Sequence, residues 1–219
     1  MCGRYALHAH PQVIALQFGL AAVPEIKPRY NIAPASEVLV VRAVEGATHA
    51  ALVRWGLVPR WAKDAAIGAK LNNARAETVA EKPSFRDAFR RRRCLIPASG
   101  FYEWQAQAGR KQPYYVHPAQ DELFALAGLW EAWRGPDGAL ETCVVLTTDA
   151  NATMRPIHDR MPVIVAGRDY ARWLDCMPGN EVHDLLRPCD PGDIGVRRVS
   201  RAVNNARNDN VNLIAPEED

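Results

Sequence analysis

The sequence predicts an α+β fold: a single domain on a largely antiparallel, barrel-like β-sheet with a few flanking helices. Three observations carry this expectation. Short β-rich runs recur along the chain, helical stretches are few, and the two do not alternate as a parallel βα array requires. The 219 residues suffice for one well-buried core. The domain is assigned to residues 1–213, with an acidic tail over 214–219 that ends Glu217-Glu218-Asp219.

In chain order, Pro11 to Phe18 reads as a helix, and Glu37 to Val44 and Ala51 to Leu57 as strands. Ser84 to Arg92 is the second helix, with Ser84 placed as its N-cap. Arg90 to Arg93 reads as the solvated end of that helix, where the dipole favours arginine, rather than as a phosphate-tracking stripe. Strands follow at Arg93 to Pro97, Phe101 to Gln105, Pro113 to His117, Leu123 to Trp130 and Thr142 to Thr147. Turn signals such as Gly135-Pro136-Asp137-Gly138 punctuate them. A strand over Pro162 to Val165 precedes helices over Arg168 to Cys176, started by Gly167 or Asp169, and over Glu181 to Leu186. There is no internal repeat and no low-complexity linker.

Hydrophobic residues make up 48% and charged residues 24% of the chain, as in a soluble folded protein. No apolar run approaches bilayer length, and the start turns polar at once, so neither a secretory signal nor a membrane anchor is expected. The expected compartment is the cytoplasm, with nucleoid association if nucleic acid is the partner. The five cysteines are scattered and form no C-x-x-C pair, which argues against a disulfide framework and a structural zinc site. His8 and His10 stand too alone to suggest a metal, and no cofactor is expected. Net charge is only +2, but arginine outnumbers lysine 22 to five. Arginine's fork suits phosphate. A GC-rich genome would produce the same bias, so it permits a phosphate-bearing partner without requiring one.

Cys2 carries the sharpest chemistry. A cysteine after the initiator Met allows methionine removal, leaving a free amine and a thiol on one residue. Unperturbed, these have pKa values of about 7.7 and 8.5, so each is partly reactive near neutrality. With an aldehyde the amine forms an imine, and the sulfur then closes a five-membered thiazolidine at high effective molarity. Met-Cys by itself is an ordinary coincidence. It is followed, however, by Gly3-Arg4-Tyr5, by Arg29-Tyr30-Asn31-Ile32-Ala33-Pro34 and by Arg54-Trp55-Gly56-Leu57-Val58-Pro59-Arg60-Trp61. Then come Asn73-Ala74-Arg75-Ala76-Glu77-Thr78, Arg93-Cys94-Leu95-Ile96-Pro97 and Gly100-Phe101-Tyr102-Glu103-Trp104. Ile157-His158-Asp159-Arg160-Met161-Pro162 and Val199-Ser200-Arg201-Ala202-Val203-Asn204-Asn205 complete the series.

In that order, from Cys2 to about Asn212, the set resembles the SOS-response-associated peptidase (SRAP) family, the abasic-site sensors of bacteria and eukaryotes. The resemblance implies a covalent thiazolidine between Cys2 and the ring-opened sugar of an abasic site in single-stranded DNA. It implies Asn73 beside the sugar, Glu103 as acid/base, and His158 in proton transfer on the sugar hydroxyl. It places Arg4, Arg75 and Arg160 on backbone phosphate, with Thr147 lining the pocket. It further implies a monomer, a weak lyase side path and a peptidase activity limited to removing residues ahead of the cysteine. Asn72 precedes Asn73, and Trp61 stands alone where some relatives have two adjacent aromatics; Trp61 on a rim could stack a base.

Plainer readings exist for each residue: Glu103 as the outward member of a strand, His158 as structural, Asn73 as a turn cap, the tryptophans as core. Glu103 between aromatic neighbours would have a raised pKa, which suits acid–base work. Two rival functions are a glutamine amidotransferase, which also begins Met-Cys-Gly and works through an acyl-enzyme, and a non-enzymatic single-strand-binding module.

Overall fold

A computed structural model describes residues 2–107, 109–136 and 138–217. Its strands are β1 (Tyr5–Leu7), β2 (Arg29–Ile32), β3 (Glu37–Val44), β4 (Ala47–Trp55), β5 (Asn73–Arg75) and β6 (Arg93–Ala98). They continue with β7 (Gly100–Gln107), β8 (Arg110–Pro118), β9 (Phe124–Gly135), β10 (Gly138–Asp149), β11 (Arg160–Pro162) and β12 (Ile194–Arg198). The α-helices are α1 (Pro11–Phe18), α2 (Arg86–Arg91) and α3 (Tyr170–Leu174). No helix among the described residues is long and apolar enough to cross a membrane.

Two sheets build the α+β fold expected from the sequence. In one, the order β10-β4-β3-β6-β9 closes because β9 also pairs with β10, making a five-stranded barrel. The other is an open sheet in the order β12-β8-β7-β1-β2. Pairing is antiparallel except where β10 meets β4 and β5. β10 outlasts its partner: it pairs with β9 up to Val145, then takes β5 on one edge and β11 on the other. Its far end therefore gathers three segments distant in sequence.

Alternation along the open sheet divides it between two cores. Tyr5, Ile32, Phe101 and Val116 point into the main core, which also holds the barrel's Val40, Leu95, Leu126 and Val144. Ala6, Tyr102 and Tyr115 point the other way, against Val199, Val203 and Leu213 of the C-terminal stretch. Gly100 permits this second layer: a Cβ there would lie 2.4 Å from Cζ of Tyr115. Backbone contact also delivers β5. Gly56 (φ +129) and Gly68 touch so closely that a Cβ on either would meet the other's carbonyl oxygen at 2.6 Å. The 3-10 turn Ala65–Lys70 is thereby laid against the end of β4. Leu57 N donates to Leu71 O at 3.1 Å and Trp55 Nε1 to Asn72 O at 2.8 Å, so Trp55 is core and Asn73 enters beside it.

Several elements differ from expectation for identifiable reasons. β1, β2, β5 and β12 span three to five residues and are too short to show a period of their own. The strand expected at Pro162 to Val165 pairs instead over Arg160–Pro162, and only Ile164 adds a bridge, to Leu126. Ser84 does not cap α2; Phe85 stands at that position and makes no side-chain cap bond. The third helix starts as a 3-10 turn over Gly167–Asp169 and ends at Leu174. Arg93 takes the Trp173 and Asp175 carbonyls there, and Asn180 takes those of Arg172 and Asp175. The fourth shrinks to a 3-10 turn over His183–Leu185. The arginine run divides: Arg90 and Arg91 are exposed, Arg92 pairs with Glu131 at 2.7 Å, and Arg93 is buried, so only half of it is a solvated end. Within the expected tail, Glu217 N donates to Arg198 O at 3.0 Å and Pro216 bridges Val199; Glu218 and Asp219 lie outside the described residues, as does Asp137 of the expected turn.

Candidate active site

Cys2 lies just ahead of β1, held between β7 and β5. Tyr102 N donates to Arg4 O at 2.9 Å, extending the β1–β7 pairing toward the terminus, and Asn73 Nδ2 donates to Cys2 O at 2.7 Å. This contact distinguishes Asn73 from Asn72, whose carbonyl is engaged by Trp55 and Val145 N. The Oδ1 of Asn73 is buried and has no hydrogen-bond partner among the described residues. Cys2 is fully buried. Burial, and then the nearby Glu103 carboxyl, push its thiol up to about 12 in the chain that carries Met1. In this Met1-bearing chain the sulfur is protonated, with the Arg4 backbone N–H directed at it.

Glu103 sits two residues beyond Phe101 on the inward face of β7 and is 2% exposed, not the outward member of its strand. Burial raises its carboxyl above the usual range, and the nearby His158 ring opposes that rise. His158 is carried by the turn between β10 and β11. Asn151 Oδ1 accepts from Met154 N at 3.0 Å, His158 N donates to Met154 O at 3.0 Å, and Ala150 N to Asp159 O at 2.9 Å. β7 braces this turn from Gln105, whose Nε2 donates to Pro156 O at 2.9 Å. Two groups approach His158 Nδ1 at 2.9 Å: the Arg160 backbone N–H and the Asp159 carboxylate. One nitrogen cannot accept from the first and donate to the second. The amide is an obligate donor, whereas Asp159 is 87% exposed and free to turn away. Nδ1 therefore accepts, and the ring proton sits on Nε2. Four segments thus bring Cys2, Asn73, Glu103 and His158 together.

The other expected residues separate into two groups. Arg75 at the end of β5 is exposed, and Trp61 is 59% exposed with Nε1 donating to Pro83 O at 3.3 Å. Both face solvent. Thr147 is fully buried, with its hydroxyl 3.5 Å from Ala74 O, so it lines the interior and touches nothing outside. Arg4 Nη1 donates to Asn31 Oδ1 at 2.7 Å and Val203 O at 2.9 Å, fastening the C-terminal stretch. Arg160 is enclosed: it forks onto both Glu77 oxygens at 2.7 and 2.9 Å, and reaches Asp149 and Thr147 O at 2.7 Å each. Its side chain is 12% exposed, so its fork is directed at protein rather than at a phosphate site. Glu77, to which the sequence alone gives no role, is its main partner; the hydrogen bond from Arg160 holds that carboxyl below the usual range. The only sequence signal for this pair is that each residue stands inside one of the family-like motifs. A cleft of about 410 Å³ lies elsewhere, between Phe124, Val165 and Cys189.

A model of the SOS response associated peptidase (SRAP) family matches residues 1–206. The abasic site processing protein YoqW of Bacillus subtilis (strain 168) is 42% identical over 223 residues, covering 98% of this chain and 99% of its own. YoaM from the same organism, also named an abasic site processing protein, is 40% identical and covers 99% of each chain. The abasic site processing protein HMCES of Xenopus tropicalis is 34% identical over 86% of this chain and 66% of its own. A crystal structure of a protein from Bacteroides thetaiotaomicron shares the fold, with a TM-score of 0.89 at 24% identity, covering 99% of this chain and 100% of its own. One from Bordetella bronchiseptica gives 0.81 at 26% identity, covering 91% and 100%. With residues 1–206 matched by the family model and 98% of its sequence covered by a relative at 42% identity, the chain belongs to the SOS response associated peptidase family.

Proposed function

We propose that this protein processes abasic sites in single-stranded DNA by bonding to them covalently through Cys2, once Met1 has been removed. The observation that carries this reading is the convergence of Cys2, Asn73, Glu103 and His158 in a chain whose relatives are abasic site processing proteins. The freed Cys2 amine attacks the aldehyde carbon of the opened sugar, and water leaves as the imine forms. Glu103, with its raised carboxyl, gives a proton to the departing oxygen and is then the base that takes the thiol proton. The sulfur adds to the carbon of the protonated imine, the C=N electron pair returns to nitrogen, which keeps its proton, and the thiazolidine is complete. His158, with its proton on Nε2, serves the sugar hydroxyl during ring opening. Asn73 holds the Cys2 carbonyl and offers its open Oδ1 to the sugar.

Burial of Cys2 matters here as well, because an adduct shielded from water is protected from hydrolysis. β-Elimination from the imine accounts for a weak lyase side path, and removal of residues ahead of Cys2 for the peptidase role. Arg75 supplies phosphate contact and Trp61 a stacking face. Arg160 acts as a pin for the site, not as a phosphate ligand. We further propose that the protein acts as a monomeric single domain in the cytoplasm, at the nucleoid when bound.

Mixing the protein with an abasic single-stranded oligonucleotide and running a denaturing gel tests the reading. A retarded, heat-stable band is expected. Glutamine hydrolysis without such a band would make the protein an amidotransferase, and salt-sensitive binding alone would make it a binding module.

A further inference from the structure

His158 reaches the site on a turn whose ladder is built low. Arg155 N donates to Asn151 O at 2.9 Å, and Ile157 N and His158 N both donate to Met154 O, at 2.8 and 3.0 Å. Pro156 stands among them, exposed and without an N–H, so it adds no bond to this ladder. Its carbonyl is held from β7 instead, where Gln105 Nε2 donates to Pro156 O at 2.9 Å. The amide is oriented from its other end. Gln105 Oε1 accepts from the Tyr114 hydroxyl at 3.1 Å and from Gln107 Nε2. A carbonyl can only accept, so the nitrogen must face Pro156. Strand geometry ties these bonds to Glu103. Gln105 lies two residues beyond Glu103 on the same face of β7, and Tyr114 stands directly opposite Glu103 on β8. One face of a strand pair carries the acid/base carboxyl, the amide that holds the histidine's turn, and the hydroxyl that orients the amide.

We propose that Gln105 is a positioning residue for the reaction: its amide, oriented by Tyr114, holds the Pro156 carbonyl and so fixes where His158 stands relative to Glu103. This rests on the crosslinking reading above. Gln105 gives and takes no proton; its effect reaches the sugar through His158. Proton transfer is confined to hydrogen-bond distance, about 2.6–3.2 Å, and a displacement of about 1 Å can cost about 10²-fold. A turn released at Pro156 presents the same imidazole at that distance less often. Glutamate could not replace the glutamine, because its carboxylate and the Pro156 carbonyl are both acceptors.

The test is Gln105→Met in the full-length chain, which keeps the reach of the side chain and removes the amide. Gln105→Met is expected to melt within about 4 °C of wild type and to crosslink to an abasic single strand about tenfold more slowly in single turnover. Tyr114→Phe leaves the amide in place but unoriented, and is expected to lose about threefold. In a His158→Ala background neither change is expected to slow the reaction further, because the histidine they position is gone. Amide hydrogen exchange gives a readout without DNA. Protection of Ile157 and His158 is expected to fall about fivefold in Gln105→Met, while that of Tyr102 on β7 holds. A wild-type crosslinking rate in Gln105→Met would overturn the proposal. So would a tenfold loss that persists on top of His158→Ala, because the amide would then serve the fold or the bound strand and not the histidine. If the wild-type protein forms no DNA adduct, the crosslinking reading fails, while exchange at His158 still decides whether Gln105 holds the turn.

Discussion

Replacing Arg160 with alanine separates a pin from a phosphate ligand. The side chain spends its fork on Glu77, Asp149 and the Thr147 carbonyl, joining the turn after β5 to β10 and β11. Asp149 is 78% exposed, so that pair sits at the bottom of the range for surface ion pairs. The bidentate Glu77 pair is better ordered and sits near its top, about 1 kcal/mol. The charge-assisted bond to Thr147 O adds about another 1 kcal/mol. The loss is therefore about 2 kcal/mol, or roughly 4–8 °C in Tm for a domain of this size. The backbone N–H of Arg160, which orients His158, survives the change. Glu77 adds a pH signature. Its folded pKa is depressed, so its contribution is present above the unfolded value of about 4.3 and lost as pH falls through the folded value. The stability gap between wild type and Arg160→Ala must then narrow in acid. Calorimetry against pH, paired with binding of intact single strands against salt, is the assay. A variant with unchanged Tm whose log–log salt slope drops by about 0.7 would show a phosphate contact and refute the pin.

The same titration separates Arg75: with no side-chain hydrogen bond or ion pair among the described residues, Arg75→Ala is expected to keep its Tm within about 1 °C and reduce the salt slope by about 0.7. Cys2→Ser retains the amine and loses the sulfur, so only a labile imine, trapped by borohydride and lost on denaturation, is expected; a heat-stable band would assign the linkage to another residue. Glu103→Gln is expected to slow single-turnover crosslinking by about 10²-fold or more, and a wild-type rate at every pH would remove Glu103 from the chemistry. Because burial raises the Glu103 pKa, its favourable contribution is present below about pH 4.3 and lost as pH rises through the folded value. Glu103→Gln should therefore gain stability over wild type on the alkaline side, as melting curves against pH will show.

The barrel was legible because its strands are long enough to carry their own signal. β3 falls on the expected residues, β6, β7, β8 and β10 each extend an expected run, β9 loses Leu123 while running on to Gly135, and β4 starts four residues early and stops at Trp55. What was hidden is local structure that tertiary contacts impose. β5 is a strand only because Trp55 and β10 hold it, and so short a segment cannot announce a partner far along the chain. Likewise α3 stops where Arg93 and Asn180 capture its last carbonyls, though its sequence continues in a helix-compatible way. Propensity is overruled at such places by side chains from elsewhere.

For the site, residue type was readable and residue state was not. The motifs single out Cys2, Asn73, Glu103 and His158, yet the arginine of one motif and the glutamate of another proved to be each other's partners. The same limit applies to the sulfur. With ordinary, unperturbed acidities, the Cys2 amine and thiol are equal candidates for the first attack. In the chain that carries Met1, burial beside the Glu103 carboxyl holds the thiol well above its usual range, and in the proposed reaction the amine therefore attacks first. An amine that attacks first creates an electrophilic imine within reach of that sulfur, and closure becomes intramolecular, where proximity replaces acidity as the driving advantage. On the proposed reading the difficult proton is the one on sulfur, and Glu103 is the nearby carboxyl that would take it.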